Sequence, residues 1–325
     1  MIFHKKVKYV REKIKVGLIG MGAVGERILR QFRQNEEFEI AALCDRNAER
    51  LDKFKAELPD AAMHTNYLNV LQDETIKLIY LGVPPKFHHT IAMDIIKSGK
   101  HLLCEKPLAN SIEEAKEMCE AAVNAGIIHA MNFPMAYSPA FKLFKDNIHN
   151  GELGKIKKVE LHLQFKQWPR EWQQNDWISS REQGGFIREV APHFIHMIHD
   201  TFGELDNVHS FVEYPEDDRL CETSFSTLLT LPDGIPVVFN GIAGIGQQEH
   251  LSFKVFGDKG TLDMQNWSIL VQTGTEKSGE IIKLDEPETS LPAELLKAIK
   301  GDKALLVSFK EGYQVQKVLE RILMS

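Results

Sequence analysis

Positive charge is in short supply in this chain. Its 39 lysines and arginines face 46 aspartates and glutamates, a formal charge of −7 with a pI near 6.0. A nucleic-acid surface needs a basic field, so that partner is not expected. No apolar run is long enough to span a bilayer, so no membrane partner is expected either. The first fifteen residues are locally basic (Lys5, Lys6, Lys8, Arg11, Lys13, Lys15) but show no apolar h-region or cleavage site, and they read as a solvated extension rather than a signal peptide. Cysteine is sparse as well: Cys44, Cys104, Cys119 and Cys221 have no C-x-x-C spacing. Three of them fall on apolar strand or helix patterns, where a free thiol behaves as a small hydrophobe. A reducing, cytoplasmic setting fits and zinc does not. Repeats and low-complexity tracts are absent.

What remains is an ordinary globular composition, 43% hydrophobic and 26% charged over 325 residues, enough for two domains with separate cores. The first part alternates strand-like and helix-like patterns with short links, which means parallel strands and right-handed crossovers. Strands are expected over 15–20, 39–45, 62–64, 77–82, 101–104 and 127–132, with helices over 24–33, 48–58, 88–98 and 112–125. Ser111 reads as the N-cap of that last helix, with Glu114 in capping-box position and Gly126 as its stop. After Phe133 the pattern changes. A helix near 138–149, a well-alternating strand over 156–165 and a helix over about 186–202 lead into consecutive strands near 208–212, 223–231, 236–245, 251–256, 261–264 and 268–272. Two helices, from about Ala293 and Ser308, close the chain. Strands without intervening helices predict a largely antiparallel sheet. The expected class is α/β, with a parallel-sheet domain over 1–132 and an α+β domain with a large, mostly antiparallel open sheet over 133–325.

Two motifs sit directly behind apolar strands. Gly20-Met21-Gly22-Ala23-Val24-Gly25 follows the first strand and opens the first helix, and Asp45 ends the second strand about 20 residues on. Gly20 allows the tight turn, Gly22 lets the backbone approach a pyrophosphate, and Gly25 lets helix and strand pack closely. The helix start at Ala23 and Val24 offers free N–H groups to phosphate. Asp45 suits the ribose hydroxyls and repels a 2′-phosphate, favouring NAD; Arg46 leaves NADP possible. Gly82-Val83-Pro84-Pro85 would turn the chain over the cofactor's edge, with His88 just beyond. The second motif, Glu105-Lys106-Pro107, puts Glu105 and Lys106 at a strand's carboxyl end, where ligands bind in α/β sheets. Desolvation there would lower the Lys106 pKa toward neutrality; a surface ion pair is the plainer reading.

Gly184-Gly185-Phe186-Ile187-Arg188-Glu189-Val190-Ala191-Pro192-His193 is a third anchor. Glu189 and His193 share a helix face, so the carboxylate is expected to orient the imidazole; Pro192 removes one helical bond. His196 and His199 continue the run, but their spacing spreads them around the helix and no metal site is expected. Trp168, Trp172 and Trp177, among Pro169, Arg170, Gln173, Gln174, Asn175 and Asp176, read as a polar-aromatic loop suited to a polyol.

With Asp45, the glycine motif, Glu105-Lys106-Pro107-Leu108, Glu189 to His193, and the segment Phe253 to Leu262, the chain resembles the glucose-fructose oxidoreductase / inositol dehydrogenase / MocA family from Lys15 to its last helix. The resemblance implies a Rossmann domain, an open-sheet domain covering the site, and dimers or tetramers packed through that sheet. It implies an NAD(P)-dependent dehydrogenase acting on a secondary alcohol or carbonyl of a sugar, cyclitol or similar small molecule. Lys106, His193 and Glu189 would be catalytic, and Lys106, Tyr137, Trp168, Trp172, Glu189 and His193 would meet substrate. Alternatives are an elimination or glycoside cleavage through transient oxidation by tightly held NAD, and a cofactor-sensing regulator without chemistry. The chain departs from the family's usual pattern at Glu189 (usually Asp), at Ala191 (often Gly), at His196 (often Asp), and at Pro134-Met135-Ala136-Tyr137, where many members carry arginines.

Overall fold

The structure is a computed structural model that describes residues 12–173, 175–274 and 279–324. Lys5, Lys6, Lys8, Arg11 and Gln174 lie outside the described residues. The first half runs β1 (Ile14–Ile19), α1 (Ala23–Arg33), β2 (Phe38–Cys44), α2 (Glu49–Lys55), β3 (Ala62–His64), α3 (Tyr67–Gln72), β4 (Ile76–Leu81), α4 (His88–Lys97), β5 (His101–Cys104), α5 (Ile112–Asn124) and β6 (His129–Met131). Its six strands pair in parallel in the order β3-β2-β1-β4-β5-β6. The order reverses between β1 and β4, so the ligand crevice of such a sheet lies beyond the carboxyl ends of those two strands. Helix ends follow local chemistry. Ser111 Oγ accepts the Glu114 N–H at 3.1 Å, and Gly126 turns off α5 at φ +64°. Helix α3 has no counterpart in the expected pattern, and α2 is shorter than expected.

The second half runs α6 (Pro139–His149), β7 (Ile156–Phe165), α7 (Phe186–Phe202), β8 (Asp206–Glu213), β9 (Ser224–Thr230), β10 (Pro236–Ala243), β11 (His250–Gly257), β12 (Gly260–Gln265), β13 (Ile269–Gly274), β14 (Glu280–Ile282), α8 (Leu291–Ile299) and α9 (Phe309–Leu323). The eight strands form one sheet in the order β14-β13-β12-β11-β7-β10-β9-β8, antiparallel except for the β7/β10 pair. Strand β7 shows why the sheet is one-sided. Val159, Leu161, Leu163 and Phe165 are wholly buried, and Lys158, Glu160, His162 and Gln164 alternate with them. The buried face packs in one core with Phe144, Phe186 and Phe194 from α6 and α7, each worth about 1.5–3 kcal/mol on burial.

The last two helices return to the first half. Leu291 and Leu295 of α8 share a core with Val16, Leu18 and Tyr80, and the Met131 N–H at the end of β6 donates to Val307 O at 2.8 Å. No helix of the described residues is long and apolar enough to cross a membrane.

Candidate active site

The amide after each central strand continues the ladder. Gly20 N–H donates to Cys44 O (2.8 Å), Gly82 N–H to Ile19 O (2.8 Å), Glu105 N–H to Leu81 O (2.9 Å) and Asn132 N–H to Cys104 O (2.8 Å). These bonds set the glycine loop, the Gly82 turn and the Glu-Lys-Pro turn side by side along one sheet edge. A cleft of about 790 Å³ opens there, lined by Gly20, Gly22, Ala23, Val24, Gly25, Asp45, Arg46, Gly82, Pro84, Glu105, Lys106 and Glu189 among others.

The glycine loop has the form a dinucleotide requires. Gly20 sits at φ +98°, and a Cβ there would stand 2.2 Å from Gly82 O, so the turn tolerates no side chain. At Gly22 a Cβ would meet nothing within 4 Å among the described residues; its open side belongs to the cleft. The first amides of α1 have no intrahelical acceptor and suit a pyrophosphate. Asp45 Oδ2 accepts the Met21 N–H and Oδ1 the Asn47 N–H, each at 2.9 Å, so this carboxylate also holds the loop in shape. The residues present therefore fit an NAD-type cofactor.

Lys106 leaves the β5 edge and crosses to α7. Its Nζ donates to Glu189 O at 2.7 Å and lies 3.3 Å from Glu189 Oε2. Both side chains are mostly buried, at 12% and 15% exposure, so the pair is a fixed charge at the cleft wall rather than a loose surface contact. Glu105 points the other way: its carboxylate accepts from Tyr80 Oη at 2.9 Å and from Asn132 Nδ2, and burial raises its pKa against the help of those partners and Lys106.

The expected bond from Glu189 to His193 is not formed among the described residues: the carboxylate is turned to Lys106, whose long side chain reaches the first turn of α7. His193 lies one turn further on and is not part of the cleft lining. It is nearly buried, and its Nδ1 has no hydrogen-bond partner among the described residues. Burial, followed by the positive charge of Lys106, holds its pKa well below the usual imidazole range, so the ring is neutral at neutral pH. Pro192 sits inside an unbroken α7. His196 stacks on Phe133 at 4.8 Å, and burial drives His199 down to about 4; among the described residues no group of three or more potential ligands could hold a metal ion.

The tryptophan loop divides. Trp172, Gln173, Asn175, Trp177 and Ile178 line the cleft, with Trp172 60% exposed. Trp168 does not: its indole donates to Ile178 O at 3.3 Å and packs on Phe165 and Phe186. Two further expectations are corrected. His88 is wholly buried under the turns, with Nδ1 2.9 Å from Pro107 O and Nε2 2.8 Å from Val83 O, so it ties the two turns together and does not line the cleft. Tyr137 packs in the first-half core and lines a separate groove with Asn132, Ser290 and Pro292, because the Pro134–Tyr137 turn directs it away from the cleft. Sequence reasoning missed Arg50, which lies 3.5 Å from Asp45 Oδ2 and donates to Asn175 Oδ1 at 3.3 Å, joining the ribose end of the cleft to the tryptophan loop. Its place in the first turn of α2, five residues after Asp45, was the available signal.

Known proteins share this fold. A family profile described as an oxidoreductase family with an NAD-binding Rossmann fold matches residues 14–133, and its C-terminal alpha/beta domain matches residues 145–325. A 1-carboxy-3-chloro-3,4-dihydroxycyclohexa-1,5-diene dehydrogenase of Comamonas testosteroni is 24% identical over 73% of this chain and 60% of its own length. A scyllo-inositol 2-dehydrogenase (NADP(+)) of Bacillus subtilis is 28% identical over 45% of this chain and 44% of its own length. Several alignments thus span only about half of the curated relatives. The WlbA dehydrogenase of Bordetella pertussis, solved with NADH and UDP-GlcNAcA, superposes with a TM-score of 0.82 at 21% identity, covering 97% of this chain and 96% of that one. The chain belongs to the glucose-fructose oxidoreductase / inositol dehydrogenase / MocA oxidoreductase family, with an NAD-binding Rossmann fold followed by that family's C-terminal alpha/beta domain.

Proposed function

We propose that this protein is an NAD(P)-dependent dehydrogenase or reductase that moves hydride between the nicotinamide and a secondary alcohol or carbonyl of a sugar, cyclitol or related small polar molecule. One observation carries the reading: Lys106, fixed by Glu189, stands in the same cleft as the glycine loop. The cyclic-diol and inositol substrates in the relatives' names support the substrate class.

When bound, the nicotinamide supplies hydride chemistry. The chain's residues do the rest. Lys106 donates a hydrogen bond to the reacting oxygen and polarises it. Glu189 holds the lysine in place. His193 stands behind the cleft lining, one turn beyond Glu189 on α7; neutral, it takes or returns the hydroxyl proton where the substrate reaches past Lys106. Trp172 and Trp177 offer apolar faces beside Gln173 and Asn175, a lining suited to a polyol. Asp45 favours NAD, while Arg46 and Arg50 beside it leave room for NADP. In this reading residues 1–132 hold the nucleotide and 133–325 supply substrate contacts and the oligomer interface. The outer face of the second sheet carries exposed Phe211, Leu228, Ile242, Ile269 and Ile281, which supports a dimer or tetramer.

The test is to incubate purified protein with NAD and with NADP against a panel of sugars and cyclitols, following absorbance of the reduced nicotinamide. Reduction with at least one member is expected. A cofactor-induced thermal shift without reduction or turnover of any member would replace this reading with a regulator; turnover without net cofactor consumption would replace it with transient oxidation.

A further inference from the structure

Among the described residues, no hydrogen bond sets the plane of His193. Its Nδ1 is buried without a partner, and Glu189, one turn back, serves Lys106. Two aromatic rings meet the imidazole instead: Phe133 at 5.7 Å with the planes at 87°, and Trp267 at 5.5 Å with the planes at 90°. Edge-to-face contacts of this kind are directional. Trp267 also stacks on Phe194, the next residue of α7, at 5.3 Å and 24°.

The backbone that delivers Trp267 is strained. Asn266, Trp267 and Ser268 join β12 to β13, the first two at φ +46° and +76°, and Ser268 N–H donates back to Gln265 O at 3.2 Å. Two successive positive φ values define the mirror-image hairpin turn, which favours Asn followed by Gly. Asn266 suits its position; a tryptophan in the next one is a genuine outlier. The turn is nonetheless fixed: Asn266 N–H donates to Leu251 O, and Asn266 Oδ1 accepts the Leu251 N–H, both at 3.0 Å. Strain held this firmly persists where the surroundings over-determine it, often beside a working residue.

We propose that Trp267 is a positioning residue for His193: the strained hairpin turn presents an indole that, with Phe133, fixes the imidazole plane and keeps water from Nδ1. The inference rests on the proton-carrying role given to His193 above. Burial and four cationic or titratable neighbours act on the ring in one direction: Lys106 beyond β5, His196 on α7, Arg27 on α1 and Arg170 in the tryptophan loop. Removing the indole admits water and weakens the first of these effects.

The test is an NMR titration of the His193 ring in the full chain without substrate, its signal identified by loss in His193→Asn. Trp267→Phe keeps an aromatic ring and should titrate as wild type. Trp267→Ala should move the His193 midpoint up by about one pH unit or more, toward the ordinary imidazole value. Trp267→Leu retains bulk on Phe194 without an aromatic edge; it should move the midpoint in the same direction, and it decides the matter if the alanine variant does not fold. Turnover in the leucine variant should fall about tenfold while KM stays within about twofold. An unmoved His193 titration in Trp267→Leu overturns the proposal. A moved titration with unchanged turnover upholds it and overturns instead the catalytic role of His193.

Discussion

Replacing Gly22 by valine should separate nucleotide binding from the folding of its cradle. Gly22 has φ −76° and ψ −172°, extended backbone that valine adopts readily. A Cβ there touches nothing within 4 Å among the described residues. Stability without ligand should therefore stay within about 0.5 kcal/mol of wild type. The added methyl groups project into the cleft where a pyrophosphate must come closest to the backbone. Gly20→Ala is the contrast. Its Cβ would stand 2.2 Å from the Gly82 carbonyl oxygen, at φ +98°. Backbone strain of about 1–3 kcal/mol and overpacking of about 1–3 kcal/mol give about 2–6 kcal/mol of destabilisation, a fall of roughly 3–9 °C in Tm. In wild type, NAD at a hundred times Kd should stabilise by about 2.7 kcal/mol, roughly 4 °C. Thermal unfolding with and without NAD reads both quantities. Gly22→Val should melt like wild type alone and show almost no shift with NAD. If it keeps the full wild-type shift, the cleft side of this loop is not where the nucleotide lies.

Three more outcomes are expected. Lys106→Met and His193→Asn should each keep the NAD-induced thermal shift and lose about 10²–10⁴ in turnover; unchanged turnover in both discards the catalytic assignment. Arg50→Ala should weaken NADP about tenfold relative to NAD, since a guanidinium 3.5 Å from Asp45 is removed; fluorescence titration with the two reduced cofactors measures this, and an unchanged ratio removes Arg50 from cofactor choice. Glu222, buried over the first turn of α7 and accepting the Ile187 N–H at 2.6 Å, has its pKa raised from 4.5 to about 7, chiefly by burial. A carboxyl group raised in this way is stabilising below its unfolded pKa, and that benefit is lost as pH rises from about 4.5 through 7. Glu222→Gln should therefore gain on wild type by up to about 3 kcal/mol between pH 4.5 and 7.5, read by urea unfolding at both ends; an unchanged difference refutes it.

Where an element's signal is local, the sequence carries it. The bounds of β7 and α7 follow from strict alternation in one and from Gly185 and Gly203 flanking the other. The Ser111 cap and the glycine loop are equally local. Helix α3 and strand β14 are six and three residues long, too short for a period to show. The site is harder to read because its bonds span long stretches of chain. Lys106 and Glu189 are 83 residues apart, and Glu222 caps a helix that starts 36 positions earlier, at Phe186. Glu189 and His193 do fall in sequence at a spacing that suggests a bond, yet a distant lysine competes for the carboxylate and wins it. His88 shows the converse: a histidine beside a ligand-binding turn reads as a ligand contact until its buried carbonyl partners are seen.

The return of α8 and α9 to the first half has a consequence for biosynthesis. The hydrophobic seat that receives Leu291 and Leu295, and the β6 amide that waits for Val307, stay bare while the ribosome makes everything in between. The nascent nucleotide-binding half is therefore sealed last, by the tail of the other half. Stalled or prematurely terminated chains ending before residue 290 should present that sticky seat to chaperones and proteases, even though every residue of the glycine loop has long been made.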